Sequence, residues 1–306
     1  MGRRSRRNGG RVLSGLLLID KPSGITSFGV VGQVRRALGV RRVGHTGTLD
    51  PMATGLLPIC LGQATKLARF VTDADKAYRA RARLGIATDT LDAEGQVTHV
   101  DPEDAVATID AAAFAKAMTP FTGLITQRPP AYSAIKVDGE RLYAKARRGE
   151  KVEVPEREIT IHSLEMVAAS PPDFEFDVRC SKGTYIRTLA ADIAATLGVG
   201  AHLVALRRTA VGDHHVENAL TLDAFLADPE AAVSAGLIPL PMVASQLPAI
   251  TVDSEMTAHF RNGRSQPLPG EGLGIARLLD EAGALIAIVE GKGDAPAEII
   301  RGFPAE

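Results

Sequence analysis

Val43-Gly44-His45-Thr46-Gly47-Thr48-Leu49-Asp50-Pro51-Met52-Ala53-Thr54-Gly55 packs one carboxylate, one imidazole, three hydroxyls, three glycines and a proline into a single run. Glycine admits backbone angles that other residues avoid, and Pro51 restricts itself and Asp50 toward an extended path. The expected result is a shaped loop that presents Asp50, although Gly, Thr, Asp and Pro also build ordinary turns. Outward from the loop, Gly15–Asp20 reads as a buried strand ended by Pro22-Ser23-Gly24. Thr26 then caps a helix whose Val30, Val31, Val34 and Leu38 fall at helical spacing, and Gly39 stops it. Beyond the loop, Leu56–Leu61 reads as a strand and Ala64–Val71 as a helix.

Further along, Tyr78–Leu84 alternates with period two, giving one charged and one packed face. Asp110–Met118 and Glu140–Arg148 read as helices, Ile159–Val167 and Phe174–Cys180 as strands. Ser181-Lys182-Gly183 turns the chain into a helix over Thr184–Leu197, and Leu203–Val211 reads as a strand. Strands and helices mix without a regular βαβ alternation, so the fold class is α+β around a largely antiparallel mixed sheet. Pro239, Pro241 and Pro248 punctuate the chain before a helix-like Asp253–Phe260, an Asn262-Gly263 turn and three β-like runs, Gly274–Leu279, Ala284–Glu290 and Ala297–Arg301. Residues 1–12 read as a basic, disordered arm, 13–245 as the main domain and 248–306 as a small β-rich domain.

Composition bounds the class. At 306 residues the length suggests about two domains, and 45% hydrophobic with 23% charged residues is ordinary for a globular protein. No apolar run reaches the roughly 18 residues of a membrane span, and the stretch after the basic start is too short for a signal peptide. Cys60 and Cys180 form no CxxC and read as reduced thiols, so no zinc site and a cytoplasmic setting are expected. Net charge is −1, yet the first fifty residues carry Arg3, Arg4, Arg6, Arg7, Arg11, Lys21, Arg35, Arg36, Arg41 and Arg42 against Asp20 and Asp50 alone. Cations flanking a carboxylate loop suit a polyanionic substrate.

Other chemistries fail on context. Gly198-Val199-Gly200 follows a helix and lacks a third glycine, and there is no GxxxxGK[ST] or GxSxG. His214-His215 lacks the spacing of ligands on one helix face. What remains is carboxylate chemistry with no metal and no cofactor, in which Asp50 could be nucleophile, base or electrostatic stabiliser. The run Cys180-Ser-Lys-Gly-Thr-Tyr-Ile-Arg-Thr-Leu-Ala190 would project Tyr185 and Arg187 from a first helical turn. An arginine beside a carboxylate keeps it ionised and aimed, lowering its pKa. Asp75–Ala80 offers Tyr78 on a strand.

In order, Lys21–Gly24, Gly44–Gly55, Asp75–Ala80, Gln127–Lys136 with Gly139–Tyr143, Cys180–Ala190 and Ala205–Thr209 resemble the motifs of bacterial tRNA pseudouridine-55 synthases, the TruB-type family. The match spans roughly Gly15 to Val211. The tail resembles the PUA domain that follows this catalytic domain, chiefly through His259–Arg264, though residues 248–306 hold five cations against nine acids. The resemblance implies isomerisation of a uridine in the tRNA T loop, breaking the C1′–N1 bond and joining C1′ to C5. It implies Asp50 as the catalytic aspartate, paired with Arg187, and Tyr78 stacked on the uracil near the C5 proton. It further implies Tyr185 and Leu206 lining the pocket, Lys21 among the substrate-binding residues, and His45 filling the gap left by a flipped base. The implied partner is tRNA through its T arm, with no protein partner required, no membrane and a monomeric state. A competing reading is an RNA-binding, tRNA-folding factor on the same scaffold. A nucleoside glycosidase would need a second carboxylate near Asp50, and none lies in a comparable loop.

Overall fold

The computed structural model describes residues 13–130, 136–137, 140–141, 148, 154–268 and 274–304. Its strands are β1 (Gly15–Lys21), β2 (Val43–His45), β3 (Thr54–Leu61), β4 (Lys76–Leu84), β5 (Ile86–Thr88), β6 (Val97–Val100), β7 (Gly123–Gln127), β8 (Lys136–Val137), β9 (Glu140–Arg141) and β10 (Arg157–Ser170). There follow β11 (Asp173–Cys180), β12 (Ala201–Val211), β13 (His214–His215), β14 (Leu220–Thr221), β15 (Ile238–Pro239), β16 (Ala249–Thr251), β17 (Ile275–Leu279), β18 (Leu285–Lys292) and β19 (Ala295–Gly302). The α-helices are α1 (Ser27–Leu38), α2 (Ala68–Thr72), α3 (Glu103–Ala107), α4 (Ala111–Met118), α5 (Ile186–Thr196), α6 (Leu222–Ala227), α7 (Pro229–Gly236) and α8 (Ser254–Arg261).

The large sheet runs β14-β1-β3-β12-β4-β11-β10-β7, with β13, β15 and β2 paired to β12, β1 and β3. It is a mixed, largely antiparallel sheet in which β1 with β14 and β3 with β12 run parallel. β1 and β3 are continuous apolar runs because both their faces are covered. Leu17 and Ile19 pack with Val30, Val31 and Val34 of α1, while Leu16 and Leu18 face a second cluster. β4 alternates instead: Ala80, Ala82 and Leu84 are buried, and Arg79 and Arg83 reach Asp177 and Asp173 of β11 in the open. The packed face stabilises this strand, since exposed ion pairs contribute little. Helix α1 matches its sequence signals, with Thr26 Oγ1 accepting from Gly29 N at 2.9 Å and Gly39 at φ 63° closing the last turn.

Three expected elements differ. Ala64–Val71 is not one helix: a 3-10 turn over Gly62–Lys66 precedes α2, because Thr65 Oγ1 and the backbone of Leu67 take i→i+3 bonds. The helix after Gly183 begins at Ile186, since Gln127 holds the backbone of Tyr185 in an extended conformation. Glu140–Arg141 pairs as a strand with Lys136–Val137, which breaks the start of the helix expected over Glu140–Arg148. The rest of that segment, apart from residue 148, and the arm at 1–12 lie outside the described residues.

A second sheet, β16-β17-β18-β19, builds its own core from Val252, Phe260, Leu278 and Ile286. Arg277 ties it to the preceding segment, donating to the carbonyls of Leu247 (3.0 Å), Pro241 (2.6 Å) and Ser245 (3.2 Å). Leu285, Ile288 and Phe303 share the cluster of Leu16, Leu18 and Leu56, so the second sheet packs directly on the first. Among the described residues no helix is long and apolar enough to cross a membrane.

Candidate active site

The loop between β2 and β3 is held on both sides of Asp50. Upstream, Ser27 Oγ accepts from Leu49 N at 2.8 Å and donates to Leu49 O at 3.1 Å. Downstream, the carbonyl of Pro51 accepts from Gly24 N at 2.8 Å and from the Lys21 ammonium at 3.1 Å. Gly55, at φ 99°, lets β3 lie beside β12: a Cβ there would meet the Arg208 carbonyl at 2.3 Å. The glycines therefore set the path of the loop, and the bonds around them fix where Asp50 stands.

Asp50 lies in a cleft of about 600 Å³ lined also by Tyr78, Tyr185, Arg187 and Leu206. Arg187 Nε is 3.0 Å from Asp50 Oδ2. Its Nη1 donates to Thr90 O at 2.6 Å and stands 3.4 Å from Asp92 Oδ2. Asp92 is buried and is itself held by the Thr90 hydroxyl (2.6 Å) and Glu94 N (3.1 Å). Arg187 thus reaches Asp50 with its guanidinium already anchored behind. Burial raises the Asp50 pKa and Arg187 opposes the rise without cancelling it. This corrects the expected lowering: desolvation, joined by the charge of Asp92, outweighs the counter-charges of Arg187 and Lys21.

The floor of the cleft comes from β4 and β12, where Tyr78 stands opposite Arg208. Arg208 is fully buried, donating from Nε to Leu56 O at 2.7 Å and from Nη2 to Gly47 O at 3.1 Å, with Tyr78 its neighbour across the strands. Burial pushes the Tyr78 phenol up, with Arg208 opposing. Lys76 enters the same floor, its ammonium on the carbonyls of Thr72 and Ala74 and its pKa brought down to about 8 by burial. On the opposite wall, Gln127 donates to Tyr185 O at 3.0 Å and accepts from Tyr185 N at 2.7 Å. That clamp sets where α5 starts and hence where Arg187 emerges.

Two predicted residues lie elsewhere. Lys21 is not a lining residue: it is fully buried, with its ammonium on the carbonyls of Pro22 (2.9 Å), Ile25 (2.7 Å) and Pro51. Burial brings its pKa down to about 8. Through the Pro51 carbonyl it braces the Asp50 loop from within. His45 stands on β2 outside the cleft lining, with Nδ1 accepting from Gly47 N at 3.2 Å and its ring edge-on to exposed Phe28 at 5.6 Å. Burial lowers its pKa, so the ring is neutral with its proton on Nε2.

Asp92 and Arg157 carried no sequence-based expectation, and Gln127 and Arg208 lay in the motifs Gln127–Lys136 and Ala205–Thr209 with no role assigned to them. Arg208 had a further readable signal, two residues from Leu206 on one strand and so on the same face. Among the described residues no group of three or more His, Cys, Asp or Glu is placed to hold a metal ion.

Comparison with known proteins sets this geometry in a family context. A family described as "TruB family pseudouridylate synthase (N terminal domain)" matches residues 35–186, and "tRNA pseudouridylate synthase B C-terminal domain" matches 187–238. A tRNA pseudouridine synthase B from Azoarcus sp. (strain BH72) is 46% identical over 268 residues, 88% of each chain. One from Burkholderia pseudomallei (strain 668) is 44% identical over 286 residues, covering 91% of this chain and 93% of its own. Among solved structures, a chain of a Cbf5-Nop10-Gar1 complex superposes with TM-score 0.69 at 26% identity, covering 95% of this chain and 85% of that one. A chain of an H/ACA RNP bound to a substrate RNA shares the fold at TM-score 0.71 and 24% identity, with 95% and 85% covered.

Proposed function

The chain belongs to the TruB family of pseudouridylate synthases, and from that premise we propose that it converts uridine 55 in the T loop of tRNA to pseudouridine by flipping the base into the cleft around Asp50. The observation that carries this reading is one carboxylate, aimed by Arg187 at 3.0 Å, in a cleft walled by Tyr78, Tyr185 and Leu206. A cleft of about 600 Å³ has room for a nucleotide, and aromatic rings with a leucine suit a flat base.

The reaction is an isomerisation. The C1′–N1 bond breaks, the C1′–C5 bond forms, C5 loses its proton and N1 gains one, so nothing is consumed. Asp50 acts on the extruded uridine and Arg187 keeps its carboxylate ionised. Tyr78 stacks on the ring near C5, with the buried Arg208 beside it across the strands. His45, beside the loop and neutral, takes the place of the flipped base. The second sheet serves as a PUA-like RNA-binding domain. The protein works in the cytoplasm as a monomer, with no protein partner required.

Purified protein alone should release tritium from tRNA carrying 5-tritiated uridine. Asp50→Asn should lower the rate by about a thousandfold or more, with tRNA affinity nearly unchanged. Release by the variant at the normal rate would sink the role given to Asp50.

A further inference from the structure

The cleft presents five cations, Lys76, Arg157, Lys182, Arg187 and Arg208, against the single carboxylate of Asp50. Four of them are engaged by the protein. Arg187 holds Asp50 and the carbonyl of Thr90, Arg208 the carbonyls of Leu56 and Gly47, and Lys76 those of Thr72 and Ala74. Lys182 pairs with Asp73 at 3.0 Å. Arg157 differs. Among the described residues its half-buried guanidinium has no hydrogen bond and no ion pair. It lies over the Tyr185 ring, 5.4 Å from the centroid, and its Nη1 passes so close to Gly183 that a Cβ there would stand 3.2 Å away.

Each of these contacts fixes where the guanidinium sits, and none uses its five donors. A cation of this kind costs desolvation unless an anion arrives to meet it. Its supports are also firm. Arg157 begins β10 opposite Gln127, and Gln127 in turn clamps the backbone of Tyr185. The wall that carries the ring therefore also carries the free guanidinium, so ring and cation move together.

We propose that Arg157 is a phosphate-binding residue of the cleft, taking a backbone phosphate beside the extruded uridine while Tyr185 lines the pocket for the base. This rests on the reading of the cleft as an RNA site. An arginine presents a planar fork that meets two phosphate oxygens at once, which a lysine cannot do. The contact positions the nucleotide and carries no sequence preference. The anion comes to the wall of the cleft that carries Tyr185, so it adds a grip on the RNA at the reacting nucleotide.

The test is the salt dependence of tRNA binding, measured in an Asp50→Asn background so that the RNA is not converted. Each phosphate contact adds roughly 0.7–0.9 to the slope of log affinity against log salt. Arg157→Gln should make that slope shallower by about one such contact between roughly 50 and 200 mM KCl. Arg157→Lys, which keeps the charge, should restore most of it. Arg157→Met keeps an unbranched apolar stem without the charge, and it should reproduce the glutamine result if the glutamine protein proves unstable to heat. A slope unchanged by both neutral variants, or lost equally in Arg157→Lys, overturns the assignment. Tritium release by the otherwise unaltered protein is followed in parallel. If that release occurs and the slopes stay parallel, the phosphate contact is wrong and the function stands; if no release occurs, the functional reading itself falls.

Discussion

At the scale of single residues, the site works by holding charges where water would otherwise quench them. Asp50 is a carboxylate whose pKa burial has raised, with one arginine pulling the other way. A group with a raised pKa needs a higher pH to ionise. The acid limb of kcat/KM for tritium release should therefore lie above the ordinary aspartate value of about 3.9. A limb at or below that value would show that Arg187 prevails over burial. Lys21 offers a second test. Its pKa falls to about 8, so the unfolded chain holds this proton more tightly than the folded one between that value and the ordinary 10.5. Its contribution to stability is lowest below pH 8 and recovers as pH rises toward the unfolded value. The stability difference between the parent protein and Lys21→Met should shift in the parent's favour from pH 7.5 to 10 in urea titrations.

At the scale of elements, the site depends on two close fits of backbone and side chain. The parallel pairing of β3 and β12 places the Arg208 carbonyl where a Cβ on residue 55 would stand. Gly55→Ala must both relieve that overlap and take up a positive φ, so it should cost about 2–4 kcal/mol in thermal or denaturant unfolding. The other fit is the Gln127 clamp on Tyr185. Gln127→Ala leaves the Tyr185 backbone N–H without its partner, while the Tyr185 carbonyl keeps Leu189 N, and should cost roughly 1–3 kcal/mol. Because the clamp sets where α5 begins, kcat should fall further than tRNA affinity does. Helix α1 was legible from its own residues, as Thr26, the valine spacing and Gly39 act within a few positions of one another. The start of α5 was not, because the residue that delays it lies 58 positions away.

At the scale of the whole molecule, the two sheets share a hydrophobic cluster. Phe303, near the end of the described chain, packs in the cluster of Leu16, Leu18, Leu56 and Phe70, with the Lys66 ammonium 5.2 Å over its ring and bonded to Gly302 O. Unfolding of either sheet would expose apolar surface of the other, so calorimetry should show one cooperative transition. Phe303→Ala should lower its stability by roughly 3–5 kcal/mol. Two resolved transitions would mean that the shared cluster does not couple the sheets.

The α+β class, the caps and stops of α1, the alternation of β4 and the carboxylate loop around Asp50 were all determined by residues close together in sequence. Apolar period, capping chemistry and glycine placement act over a few positions, so the chain states them directly. Which side chains meet in the cleft was decided by tertiary structure. Arg208 stands under Tyr78 because of strand register, Asp92 backs Arg187 across a turn, and Lys21 folds inward to the loop it was expected to flank. Even the pKa of Asp50 turned on burial, which depends on the packed molecule around it and not on its neighbours in the chain. Pairing, register and desolvation arise only when distant segments come together, so a linear sequence names the chemical groups while the fold sets their charges and partners.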